Sequence, residues 1–78
     1  MLLKGGIMFI VIEIQKTTDI ATLVYSFENR NDAESKYYSI LSVAAVSNVP
    51  MHSAALLTDS GKELMHNSYE HEEASNEG

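Results

Sequence analysis

The side chains best placed to do chemistry gather around the chain's single proline. The run "SNVPMHS", residues 47–53, sets Ser47, Asn48, His52 and Ser53 about Pro50, all polar and uncharged. Such groups can bond the edge of a nucleobase or a ribose hydroxyl at a smaller desolvation cost than a charged group carries. They serve equally well as caps where a helix stops. Arg30 and Lys36 lie upstream, near a predicted helix start, where anions are favoured. Asp32 and Glu34 in the same stretch oppose an anion there. Tyr37 and Tyr38 follow Lys36. Adjacent helical residues diverge by about 100°, so Tyr37 is assigned to the core and Tyr38 to the outside. There Tyr38 can stack on a base or fill a contact between subunits. The predicted ligand site is therefore Arg30, Lys36, Tyr38, Ser47, Asn48, His52 and Ser53, with Tyr38 and His52 outside the main core.

No reaction centre accompanies these residues. The absence of cysteine excludes thiolate nucleophiles, disulfides and zinc-thiolate sites. There is no glycine-rich phosphate loop after a strand and no His-x-x-x-His pair, and no serine sits in a nucleophile motif. His66 and His71 are five positions apart, which sends them to opposite faces of a regular strand and argues against a metal site with Glu63 or Glu70. The reading is a protein that is not an enzyme and needs neither metal nor cofactor.

With 78 residues the chain is long enough for one domain. A domain of this size buries only about 60% of the surface its unfolded chain exposes. Disulfides and zinc being excluded, self-association is the remaining reinforcement. Seven acids and five bases up to Tyr69 leave a net charge of −2, and the four acids of residues 70–78 bring it to −6. No basic patch is present to displace counterions, so duplex nucleic acid is not an expected partner. "IMFIVI" is far shorter than the ~20 apolar residues of a spanning helix, and no signal-peptide cleavage pattern follows it. No membrane partner is expected, and the lack of cysteine fits a cytoplasmic protein. Lys4-Gly5-Gly6 just before Met8 can be encoded by a ribosome-binding sequence, so residues 1–7 read as a flexible or mis-annotated leader. Residues 8–71 read as a single α+β domain. Residues 72–78, almost without apolar side chains, read as a disordered acidic tail.

The elements that must position the site follow from periodicity. Residues 8–15 alternate as a strand, with Met8, Ile10, Ile12 and Ile14 on a wholly apolar face and Phe9, Val11, Glu13 and Gln15 on a mixed one. Residues 20–27 form a second strand after a polar turn, making an antiparallel hairpin. A helix follows, capped by Asn31 with Glu34 and stopped near residues 47–48 by Pro50. Its stripe Ala33, Tyr37, Ile40, Leu41 and Ala44 should pack on the sheet. Residues 51–58 and 62–69 read as strands joined through Gly61, with Leu64 and His66 on one face of the last strand and Met65 and Tyr69 on the other. The fold class is α+β: ββαββ, one four-stranded antiparallel sheet with a single helix packed on one face.

Residues 37–58 contain no Lys, Arg, Asp or Glu. The outer helix face in this run, Tyr38, Ser42, Val43, Ala45 and Val46, lacks the charges of a solvated face and is the expected interface of a homo-oligomer.

Ala33-Glu34-Ser35-Lys36-Tyr37, Ala44-Ala45-Val46-Ser47, Val49-Pro50-x-His52-Ser53-Ala54 and Tyr69-Glu70-His71 carry a resemblance. Over residues 8 to about 72 the chain resembles small uncharacterised proteins encoded by phages and mobile elements of gut Firmicutes. That resemblance implies a small phage-type anti-defence protein of the bacterial host cytoplasm. One such class looks like nucleotide sponges, which sequester an immune signal such as a cyclic nucleotide or an ADP-ribose derivative without catalysis. The alternative is a protein-binding inhibitor or small structural module, docking through its uncharged helix face or its acidic tail.

Overall fold

The structure, a computed structural model, describes residues 8–71. The expected leader and tail lie outside that range. Five elements follow in the predicted order: β1 (Phe9–Lys16), β2 (Ile20–Phe27), α1 (Arg30–Ala45), β3 (Met51–Thr58) and β4 (Glu63–Glu70). The strands make one antiparallel sheet ordered β2-β1-β3-β4. Two hairpins thus flank a central pairing of β1 with β3, and α1 lies across one face. The chain is α+β.

The helix begins one turn edge earlier than its sequence signal. Asn29, not Asn31, is the N-cap. Its Oδ1 accepts from the Asp32 backbone N–H at 2.8 Å, and its Nδ2 donates to the Asp32 carboxylate at 3.0 Å. Asn29 adopts an extended backbone, as a cap must, whereas Asn31 is already helical. The helix ends at Ala45 with Val46 as its C-cap, slightly before the expected stop at 47–48. Gly61 takes φ +93° in the β3–β4 turn, the left-handed geometry expected of it.

The core forms where the predicted helical stripe meets the sheet. Ala33, Tyr37, Ile40, Leu41 and Ala44 are all buried, and the first four cluster with Val11, Ala54 and Leu56. Phe9, Tyr25, Phe27 and Tyr69 pack around them. The helix therefore covers the mixed face of β1. The wholly apolar face, with Ile10, Ile12 and Ile14, carries no helix among the described residues. The mixed face has the aromatic bulk that encloses a helix, drawn from β1, β2 and β4 together. A register shift opposite Leu56 and Leu57 corrects the expected face of Leu64, while Met65 and Tyr69 share one face and His66 takes the other, as expected. Leu64 and Met65 both pack against the core there, rather than alternating across the sheet. No helix among the described residues is long and apolar enough to cross a membrane.

Candidate functional site

β1 carries Glu13 in the middle of an otherwise apolar strand, and the fold answers it with a buried polar cluster. Glu13 is 9% exposed and His52 is 2% exposed. In the β1–β3 register His52 stands opposite Gln15, on the helix-covered face that Glu13 shares. His52 Nε2 donates to Glu13 Oε2 at 2.7 Å, and Gln15 Nε2 donates to the same oxygen at 3.0 Å. Tyr25 Oη donates to Glu13 Oε1 at 3.4 Å. Lys36 Nζ lies 4.2 Å from the centroid of the Tyr25 ring, a cation–π contact that brings a positive charge over the cluster. Burial pushes the Glu13 carboxyl up, but the hydrogen bonds from His52 and Gln15, with the charges of His52 and Lys36, hold it below its ordinary value.

With Nε2 donating, His52 Nδ1 is buried and has no partner among the described residues. The cluster is a carboxylate hydrogen-bonded to an imidazole beneath the helix. Its two central side chains, Glu13 and His52, are buried and bonded to each other, which ties β1 to β3 beneath the helix.

This placement corrects the expectation for His52. It belongs to the core beneath α1, not to a pocket beside the proline turn. Strand alternation turns its neighbour Ser53 to the opposite, helix-free face, where it pairs with Ile14 and Ser68. The other predicted site residues do not converge within one subunit. Arg30 is at the helix start, ion-paired to Glu34 at 2.7 Å. Lys36 is engaged with Tyr25. Tyr38 is exposed on the outer helix face, edge-on to Tyr37. Ser47 and Asn48 follow the helix C-terminus, a full helix length (about 24 Å at 1.5 Å per residue) from Arg30. Ser47 Oγ accepts from the Val49 backbone N–H at 2.9 Å, which is the capping role. The expected interface residues Tyr38, Ser42, Val43, Ala45 and Val46 are all exposed.

An open cleft of about 500 Å³ does lie at the proline end of the molecule, lined by Lys16, Thr17, Pro50, Met51, Glu70 and His71. The β1–β2 turn forms one wall and the Pro50 turn another. His71 fastens the corner. Its backbone N–H donates to Pro50 O at 2.7 Å, and its Nε2 donates to Ala44 O at 2.9 Å, satisfying one carbonyl at the helix end. Its ring stacks on Tyr69, with planes 10° apart. Lys16 contributes a cation that makes no ion pair with a described residue. The sequence signals that could have pointed here are weak: Lys16 closes a strand, and His71 follows one. Among the described residues no group of three or more His, Asp or Glu is arranged to hold a metal ion. No family model, no curated protein and no solved structure matches the chain.

Proposed function

We propose that this is a small phage-type anti-defence protein that captures a nucleotide-derived immune signal, a cyclic nucleotide or an ADP-ribose derivative, and sequesters it in the host cytoplasm without catalysis. The observation behind this reading is the cleft at the Pro50 end. Its volume of about 500 Å³ lies within the ~300–1,000 Å³ of small-molecule sites. Lys16 supplies the charge for a phosphate, Thr17 and nearby backbone groups supply bonds to a sugar or base edge, and Met51 and Pro50 supply apolar contact. Glu70 on the rim selects against a ligand carrying phosphate on that side. The cleft thus takes over the role that sequence assigned to Arg30, Lys36 and His52. Ser47 and Asn48 stay in the proline-turn segment that leads to it. In this reading the protein works as a homo-oligomer.

Calorimetry against cyclic dinucleotides, cyclic oligonucleotides and cyclic ADP-ribose isomers tests the reading. One of them should bind, and Lys16→Ala should weaken it by ~1.5–3 kcal/mol, the worth of a hydrogen bond to a charged group. Uniform absence of binding by folded protein would overturn it. The second reading, a protein-binding module, would then stand on the exposed uncharged helix face, where Val46 is 83% exposed.

A further inference from the structure

The face of the sheet opposite the helix carries an apolar patch that spans three strands. Cross-strand partners share a face, so the register places Ile10, Ile12 and Ile14 of β1 beside Val24 of β2 and beside Ala55 and Leu57 of β3. Ile20 and Val24 on β2 are 64% and 60% exposed. An antiparallel sheet with one solvated face normally alternates apolar inward with polar outward. Here β1 presents three consecutive isoleucines to the uncovered side. β4 is polar along that side, with Glu63, His66, Ser68 and Glu70, and Thr22 and Ser26 of β2 and Ser53 of β3 flank the isoleucines. The outer helix face differs: its exposed residues include Ser42 and Ala45, so it offers less apolar bulk.

We propose that this helix-free face is a homodimer interface, packed on the same face of a second copy across a two-fold axis near Ile12. Three properties select a second copy as the occupant. The first is area. Four strands about 4.8 Å apart, each eight residues long at about 3.3 Å per residue, project roughly 500 Å² per copy. Side-chain relief makes the accessible area larger than its projection. The pair therefore exceeds the ~1,000 Å² of total buried surface that a specific interface needs.

The second property is self-complementarity. A two-fold axis lying between the sheets and crossing β1 at Ile12, perpendicular to the strands, sets β1 antiparallel over β1 of the second copy. The isoleucines then interdigitate at the centre, in the aligned packing of sheet on sheet. The polar β4 rims stay at one margin.

The third property is charge. The same axis carries Lys16, at the end of β1, over Met8 of the second copy. Asp59 stands beside Met8, bonded to it through both backbone and carboxylate. Lys16 has no ion pair with a described residue in its own chain. The symmetric dimer gives it one with Asp59, twice.

Sedimentation and circular dichroism of the full chain test this. The wild type should sediment as a dimer at micromolar concentration. Ile12→Lys should convert it to a folded monomer with at least a hundredfold weaker association, while Val46→Glu on the outer helix face leaves the dimer intact. If Ile12→Lys does not fold, Val24→Lys decides, because that side chain already faces solvent on an edge strand. Lys16→Asp should weaken the dimer, and adding Asp59→Lys should restore it. A wild-type monomer would overturn the proposal, whether or not it binds vesicles or a partner protein through this face. So would folded Ile12→Lys or Val24→Lys that remains dimeric, or dissociation by Val46→Glu instead. Lys16 also lines the cleft, so ligand capture is read by calorimetry on Ile12→Lys and Val24→Lys, which leave Lys16 in place, and failure of either idea leaves the other measurable.

Discussion

Glu13 is the residue on which the interior depends. A lone carboxylate in the middle of a β-strand is legible in the sequence; its partners are not. Gln15 is a same-face neighbour, but His52 arrives from another strand and Tyr25 from a third, and only the register brings them together. The proline turn drew attention to His52 because polar residues crowd there, and strand alternation then separated it from Ser53. Glu13→Gln keeps the shape and removes the charge, and should lower stability by ~1–3 kcal/mol at pH 7, measured by denaturant titration. His52→Ala should be a stability variant of similar cost and should leave affinity for any cleft ligand unchanged. The pH dependence has a definite sign. The Glu13 pKa is lower in the folded protein than its ordinary 4.5. Its contribution is therefore fully present above 4.5 and is lost as pH falls through the lower folded value. Thermal melts from pH 7 to pH 3 should show the gap between wild type and Glu13→Gln closing as pH drops.

At the scale of elements, the sequence was most informative where a period was long and unbroken. β2 spans the predicted 20–27, and every residue of the predicted helical stripe is buried. Two local rules competed at the helix start. Asn31 with Glu34 and Asn29 with Asp32 both offer a cap three residues ahead of an acid. The earlier pair holds because it adds two residues to the helix and bonds side chain to side chain. Asn29→Ala should cost ~1 kcal/mol, and Asn31→Ala should be close to neutral; their melting temperatures separate the two assignments. The bulge of β4 was hidden, since one inserted position leaves composition untouched while turning Leu64 to the face of Met65 and Tyr69. Gly61→Ala meets no steric obstacle, so its cost should be the left-handed backbone alone, ~1–2 kcal/mol.

For the whole molecule, what sequence could not decide was which face the helix would cover. Pattern alone left both faces of β1 open, one wholly apolar and one mixed. The structure puts the helix over the face that holds aromatic side chains from three strands, and leaves the isoleucines outward. The cleft at the Pro50 end was equally illegible, because it joins the end of β1 to the residue after β4, and no local pattern links them. Coupling of folding to association makes the melting temperature of a dimer depend on its concentration. The wild-type midpoint should therefore rise over a hundredfold increase in protein concentration, and the Ile12→Lys midpoint should not move.

The strand order also sets the order of events as the chain folds. Each hairpin closes over a short turn, but β1 meets β3 only when Phe9 finds Thr58 and Lys16 finds Met51, with β2 and α1 enclosed between them. Hairpins form in about 1–10 μs; a pairing that must first close so long a loop is slower, because the chain gives up freedom before contacts repay it. The seam between β1 and β3 is then the last part to zip and the hardest to open. Substitutions at Val11 or Leu56, where the rate-limiting pairing forms, should slow folding, and the amides joining β1 to β3 should be the slowest in the molecule to exchange with deuterium.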